Sequence, residues 1–183
     1  MMVYIPLILL IVICLWFVAA YNTLIRLRNQ VKNAWHQIDV QLKRRHDLIP
    51  NLVEVVKDYM AYEQETLTKV IEARSAAVNA KGTEAQGKAE NILTESLKSL
   101  LAVVENYPDL KANKNVASLQ EELAGTENKI SFARQFFNDS VMSYNNKIQT
   151  IPTNFIASMF SFTQETYFQI ETEDRAVPKA SLR

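Results

Sequence analysis

Apolar residues set out the plan of this chain. Val3 to Ala20 runs without a charged side chain, and the first charge is Arg26. Those eighteen residues would rise about 27 Å as a helix, close to the thickness of a bilayer core. The run predicts a membrane anchor over residues 1–21, with Trp16 and Tyr21 suited to its far interface. Beyond it the pattern becomes periodic. Leu24, Leu27, Val31, Ala34, Ile38 and Leu42 recur at steps of three and four, which is one face of a helix. The anchor is therefore expected to continue out of the bilayer as helix.

Three further stripes come after it. A second helix from about Asn51 to Ala80 would turn Met60, Leu67, Val70, Ile71, Ala73 and Ala77 inward, and Gly82 could end it in a left-handed cap. Thr83 and Gln86 have capping-box spacing for a third helix, carrying Leu93, Leu97, Leu100, Val104 and Tyr107 up to Pro108. After a polar linker, Asn115 could cap a long last helix, with Ser118 and Glu121 a rival start one turn later, and its stripe runs from Leu119 through Ile130, Phe137 and Tyr144 to Ile151. Pro152 closes it. Four stripes that each need a partner predict an all-α fold. The N-terminal transmembrane helix would continue into an antiparallel four-helix bundle with long helices over residues 22–162. Residues 163–183, with Glu171, Glu173 and Asp174, read as a polar, disordered tail.

Two places interrupt the pattern. At HDLIPN, Pro50 removes a helical donor and Asp47 is a candidate turn or capping residue. A turn between antiparallel helices and a kink in one long helix are both open. The apolar phase through Ile49, Leu52 and Val56 favours the kink, and the near-equal segment lengths favour the turn. Arg45 falls on the apolar stripe. It is either an arginine at the bundle end, reaching water, or a buried ion pair with Glu127 or Asp139 of the last helix.

Charge sharpens the membrane reading. Lys and Arg total 20 and Asp and Glu total 20, so the whole chain is no polyanion binder. Arg26, Arg28 and Lys32, however, come directly after the apolar run and are candidates for contact with lipid headgroups. By the positive-inside rule they place the N-terminus outside and the body in the cytoplasm. A cleaved signal peptide is the competing reading, since Val18 and Ala20 would tolerate a peptidase. The length of the run and the basic flank after it argue against that. Phe155, Ile156, Met159 and Phe160 fall on one side of a short helix near the returning end of the last long one. They form a candidate interfacial segment or, alternatively, a cap on the bundle core.

Catalytic chemistry finds little purchase. His36 and His46 lie on different helical faces without further ligands at helical spacing. Three isolated glycines form no phosphate loop, and the single cysteine, Cys14, lies in the apolar run. No cofactor, metal, nucleic acid or small-molecule substrate is expected.

The run Tyr21–Tyr59, containing AWHQIDVQLKRRHDLIPNLVEVVKDY, resembles the signature of the LemA family. LLAVVENYPDLKANKN, LQEELAGTENKISFARQFFNDSV, YNNKIQTIPTNFIASMFSF and RAVPK match later blocks in order. Phe137 and Val116, where the pattern favours Tyr and Phe, are mild departures. The resemblance implies a bacterial single-pass protein with a cytoplasmic four-helix domain and no catalytic residues. One branch is linked to magnetosome membranes, which suggests membrane organisation. The expected role is thus a homo-oligomeric, partly coiled-coil scaffold whose partners are the bilayer, its own copies or another membrane protein. The alternative is an accessory subunit of a membrane protease or sensor.

Overall fold

A computed structural model describes residues 4–60 and 62–168. Among them there are six helices and no strand: α1 (Tyr4–Lys57), α2 (Gln64–Asn79), α3 (Thr83–Val104), α4 (Pro108–Lys111), α5 (Lys114–Gln149) and α6 (Thr153–Met159). The first stretch of α1 is apolar enough to cross a membrane. Its best window reaches a mean hydropathy of 2.5, and only 6% of that window is buried within the chain.

The described residues separate into two compact units. One draws on residues 4–43 and Glu127–Tyr167, the other on Arg44–Thr126 and Phe168. In the first, α1 buries Leu24, Val31, Ala34 and Ile38, and α5 buries Ile130, Phe137, Val141 and Tyr144. Trp35 meets Phe137 edge-on at 5.5 Å, and Gln30 bonds Ser140, so numbers rise along one helix as they fall along the other. In the second unit, residues of α1, α2, α3, α4 and α5 share one core. It runs from Ile49, Leu52 and Val56 of α1 through Val70 and Ala77 of α2 and Leu93 and Leu100 of α3 to Leu123 of α5. Leu48 and Val55 pack against that core and widen it.

Several boundaries differ from the sequence expectation. Pro50 marks no chain reversal: α1 continues through Asp47 and Pro50 to Lys57. Four helices of comparable length therefore do not result, since α1 has 54 residues and α2 has 16. The reason is local. Pro50 is exposed, so its ring faces water, and the apolar phase on the opposite face is unbroken. The lost N–H leaves the His46 carbonyl without its partner four residues on. Arg74 of α2 donates its Nε–H to that carbonyl at 2.7 Å. The defect in α1 has become an attachment point for α2.

Gly82 begins α3 instead of ending α2, at φ +86 and ψ 155, a region open essentially to glycine alone. The capping box at Thr83 does not form. At α5 the side chain of Asn113, not Asn115, accepts the backbone N–H of Asn115 at 2.9 Å. The expected linker before it contains α4, with Pro108 at its first turn, where a missing donor costs nothing. The tail is also shorter than expected, because Thr163 and Glu165 are bonded to α5. Residues 169–183 of that expected tail lie outside the described residues.

The bond from Arg74 should depend on the proline. Arg74→Met is expected to cost about 1.5–3 kcal/mol, the range for a hydrogen bond involving a charged group. In a Pro50→Ala background the restored N–H satisfies the same carbonyl, so the cost should fall. A double-mutant cycle read by denaturant unfolding checks this; equal costs in both backgrounds would show that the proline is irrelevant to the contact.

Candidate functional site: a membrane collar and a buried ion cluster

Two groups of residues stand out, one in each unit. The first is where the apolar part of α1 ends. α6 buries Thr153, Ile156 and Ala157 and leaves Phe155 and Met159 each 68% exposed. It stops in a Schellman motif: the Phe162 N–H reaches the Ala157 carbonyl and the Ser161 N–H reaches that of Ser158. The motif needs a left-handed residue, and here Ser161 takes φ 55. A side chain in that conformation costs about 1–2 kcal/mol, so the turn is held by the contacts of the residues on either side of it.

Those contacts are aromatic. Phe160 lies on Tyr21 at 4.7 Å and on Phe17 at 6.1 Å, and Phe162 meets Tyr21 at 6.0 Å. The Arg28 guanidinium stands 5.9 Å over the Phe162 ring, within cation–π range. The chain is then pinned along α5. The Tyr144 hydroxyl donates to the Thr163 carbonyl at 3.0 Å, and the Asn145 amide exchanges two bonds with the backbone of Glu165, each at 2.9 Å. Burial and the Glu165 carboxylate push the Tyr144 hydroxyl up, against the charge of Arg28, so it stays a donor.

The expected residues thus divide. Phe155 and Met159 project outward, Ile156 packs inward, and Phe160 is half covered by the rings of α1. The four do not form one apolar face. Arg26 and Lys32 are exposed on α1, and Arg28 is half-buried under Phe162.

The second group is buried. Arg45 has 0% exposure, which excludes the arginine reaching water. Its guanidinium pairs with the Glu90 carboxylate of α3, also fully buried, and donates to Thr94 Oγ1 at 2.9 Å. The other Glu90 oxygen lies 2.9 Å from His46 Nε2. Burial alone would push the Glu90 carboxyl up. The hydrogen bond from His46 and the charge of Arg45 outweigh it and hold the group below its ordinary value of 4.5. An ionised carboxylate only accepts, so the proton of the His46 contact sits on Nε2.

Glu90 corrects the sequence expectation, which looked for partners only on the last helix. Of the residues named there, Glu127 is half-buried on α5 and Asp139 is exposed. A signal for the true partner does exist in the sequence. Glu90 opens the stripe Glu90–Leu93–Leu97–Leu100–Val104, a carboxylate in an apolar position to match the cation in another. His46, Thr94 and Arg74 carry no such mark. His36 is exposed and apart from His46.

Known proteins resemble this chain over most of its length. The model of a family described as the LemA family matches residues 34–181. Protein LemA of Metamycoplasma hominis is 28% identical over 169 residues, covering 91% of this chain and 77% of its own. Magnetosome protein MamQ 2 of Paramagnetospirillum magneticum is 23% identical and magnetosome protein MamQ of Magnetospirillum gryphiswaldense 22%. Each match covers 81% of this chain but 64% of the magnetosome protein, so this chain spans just under two thirds of their length.

Glu90→Gln should leave Arg45 short of a buried counter-charge and cost on the order of 3 kcal/mol at neutral pH. The Glu90 carboxyl is depressed in the folded state. Its contribution is therefore fully present above the unfolded value of about 4.5 and is lost as pH falls through the lower folded value. Unfolding midpoints of parent and variant should converge in acid. A gap that persists there would assign the loss to packing instead of charge.

Proposed function

The chain belongs to the LemA family, and from that membership we propose that it is a membrane-anchored scaffold without catalysis of its own. It gathers its own copies or other membrane proteins around a single-pass anchor. This is a membrane-associated helical protein, and among the described residues one helix, near the N-terminus, is long and apolar enough to cross a bilayer. The collar carries the rest. Phe155, Met159 and Ile151, the last 79% exposed, lie within nine residues along the chain of Phe160, whose ring packs tilted against Phe17 and Tyr21 where the apolar run ends. Apolar side chains in that position are stabilised by the headgroup layer and would be a liability in water. The body thus meets the bilayer with a shaped surface, which suits a protein that organises membrane.

The basic residues Arg26, Arg28 and Lys32 support a cytoplasmic body with the N-terminus outside, in a bacterial cytoplasmic membrane. Numbers running oppositely along α1 and α5 support the antiparallel four-helix arrangement. The ion cluster supports a structural reading over a catalytic one. Arg45 and Glu90 have no solvent exposure, and they engage Thr94, His46 and each other. The magnetosome names of two relatives support membrane organisation as the general theme.

Cross-linking of the full chain in its native membrane, followed by mass spectrometry, tests the role. Products with itself or with membrane proteins are expected; a chain that stays uncross-linked, or links only to soluble enzymes, would defeat the proposal. Topology and collar are checked together in a Cys14→Ser background. A charged thiol reagent should reach Ser143→Cys only after lysis, and should be slow on Phe155→Cys even then. Fast labelling of Ser143→Cys in intact cells would reverse the orientation.

A further inference from the structure

Building on the scaffold reading, we propose that the outward face of α1 from Asn22 to Val40 is a seam on which a second copy of this chain pairs, parallel and in register. Opposite the buried stripe, this face presents Asn22, Arg26, Asn29, Asn33, His36 and Val40, all exposed. Their spacing is four, three, four, three and four, the step of a coiled-coil seam, over about 27 Å of helix.

The residue types are unusual for a helix face that only meets water. Such faces are written in Glu and Lys, and Asn is a poor helix former. Among the described residues, Asn22, Asn29 and Asn33 make no side-chain hydrogen bond. An amide carries both a donor and an acceptor, so it pairs with an identical amide across a two-fold axis. A buried Asn at a seam position also fixes parallel register. Arg26 is the member that cannot pair with itself. It lies about one turn from the membrane end of the seam, where anionic headgroups neutralise it.

At the far end of the seam the amides give way to apolar surface. Val40 is 62% exposed, beside Phe132 at 73% and Phe136 at 42% on α5, around an open groove. The tether decides what covers it. Copies anchored by the same helix leave one membrane in the same sense and at the same height. Side by side, they bring Asn29 to Asn29, Asn33 to Asn33 and Val40 to Val40 without a search for register. A partner of unrelated sequence has no reason to carry matching amides at matching heights.

Disulfide trapping in the native membrane tests the seam, using the full chain with Cys14, its single cysteine, changed to Ser. Under mild oxidation Asn33→Cys and Val40→Cys should each give a linked dimer. Ser131→Cys, exposed on α5 and outside the groove, should not. Adding Phe132→Glu to the Val40→Cys chain should lower dimer yield about tenfold through like-charge apposition, with the melting temperature unmoved. No dimer at either seam position, or equal yield at all three, overturns the proposal. An amine-reactive cross-linker on the same membranes separates the two failures. Oligomers with an unlinked seam would overturn the seam and leave the scaffold on another surface; monomer throughout would overturn both.

Discussion

The pairing of Arg45 with Glu90 is the constraint from which the second unit is arranged. Two opposite charges stand in positions that the helical repeat reserves for apolar residues. Buried separately, each would carry a desolvation cost of several kcal/mol. Sliding α1 against α3 by one turn, about 5.4 Å, would separate them. The pair contributes little net stability and a great deal of register. The stretch from Arg45 to Pro50 then does the same for α2. His46 gives its ring to Glu90 of α3 and its carbonyl to Arg74 of α2, because Pro50 has left that carbonyl open. Six consecutive residues of one helix thereby place two others, and the apolar stripes close around them.

The first unit is placed by rings and backbone instead of charge. α6 has only seven residues and no side-chain cap. Its position comes from Ile156 and Ala157 beneath it and from the left-handed Ser161 that turns Phe160 and Phe162 back onto α1. The amide of Asn145 then binds the returning chain as a neighbouring strand would, donor to carbonyl and carbonyl to N–H. The same contacts that fix α6 decide which of its apolar side chains remain exposed.

The stripes are legible because a helix buries one face, and that face recurs every three or four residues. Leu24, Ile38, Leu52, Val70, Leu93, Leu100, Phe137 and Tyr144 all read as inward positions in the sequence, and all are buried. Pro50 misleads because its donor loss is visible in sequence, whereas its remedy, Arg74, is 24 residues away. Arg45 is recognisable as anomalous, but its partner depends on which helix lies opposite, and spacing along one helix carries no such information. Glu90 can be matched to it by kind. The hydrogen bonds of Tyr144 and Asn145 cannot, since their acceptors and donors are backbone atoms that any residue supplies. The caps are illegible for a related reason. Gly82 and Asn113 each have a neighbour able to claim the role, and a shift of one or two residues decides between them.

Membrane anchors are often treated as interchangeable pegs, replaceable by any apolar helix of suitable length. The packing of Phe160 against Phe17 and Tyr21, and of Phe162 edge-on to Tyr21, denies this chain that freedom. The last turns of its anchor are also a wall of its body. A graft that kept length and hydropathy but lost those two rings would leave α6 unsupported. The apolar helix would remain, but the surface beside it would no longer be shaped. Anchor and body must therefore vary together, and Phe17, which reads as one more apolar residue in a featureless run, is among the least exchangeable of them.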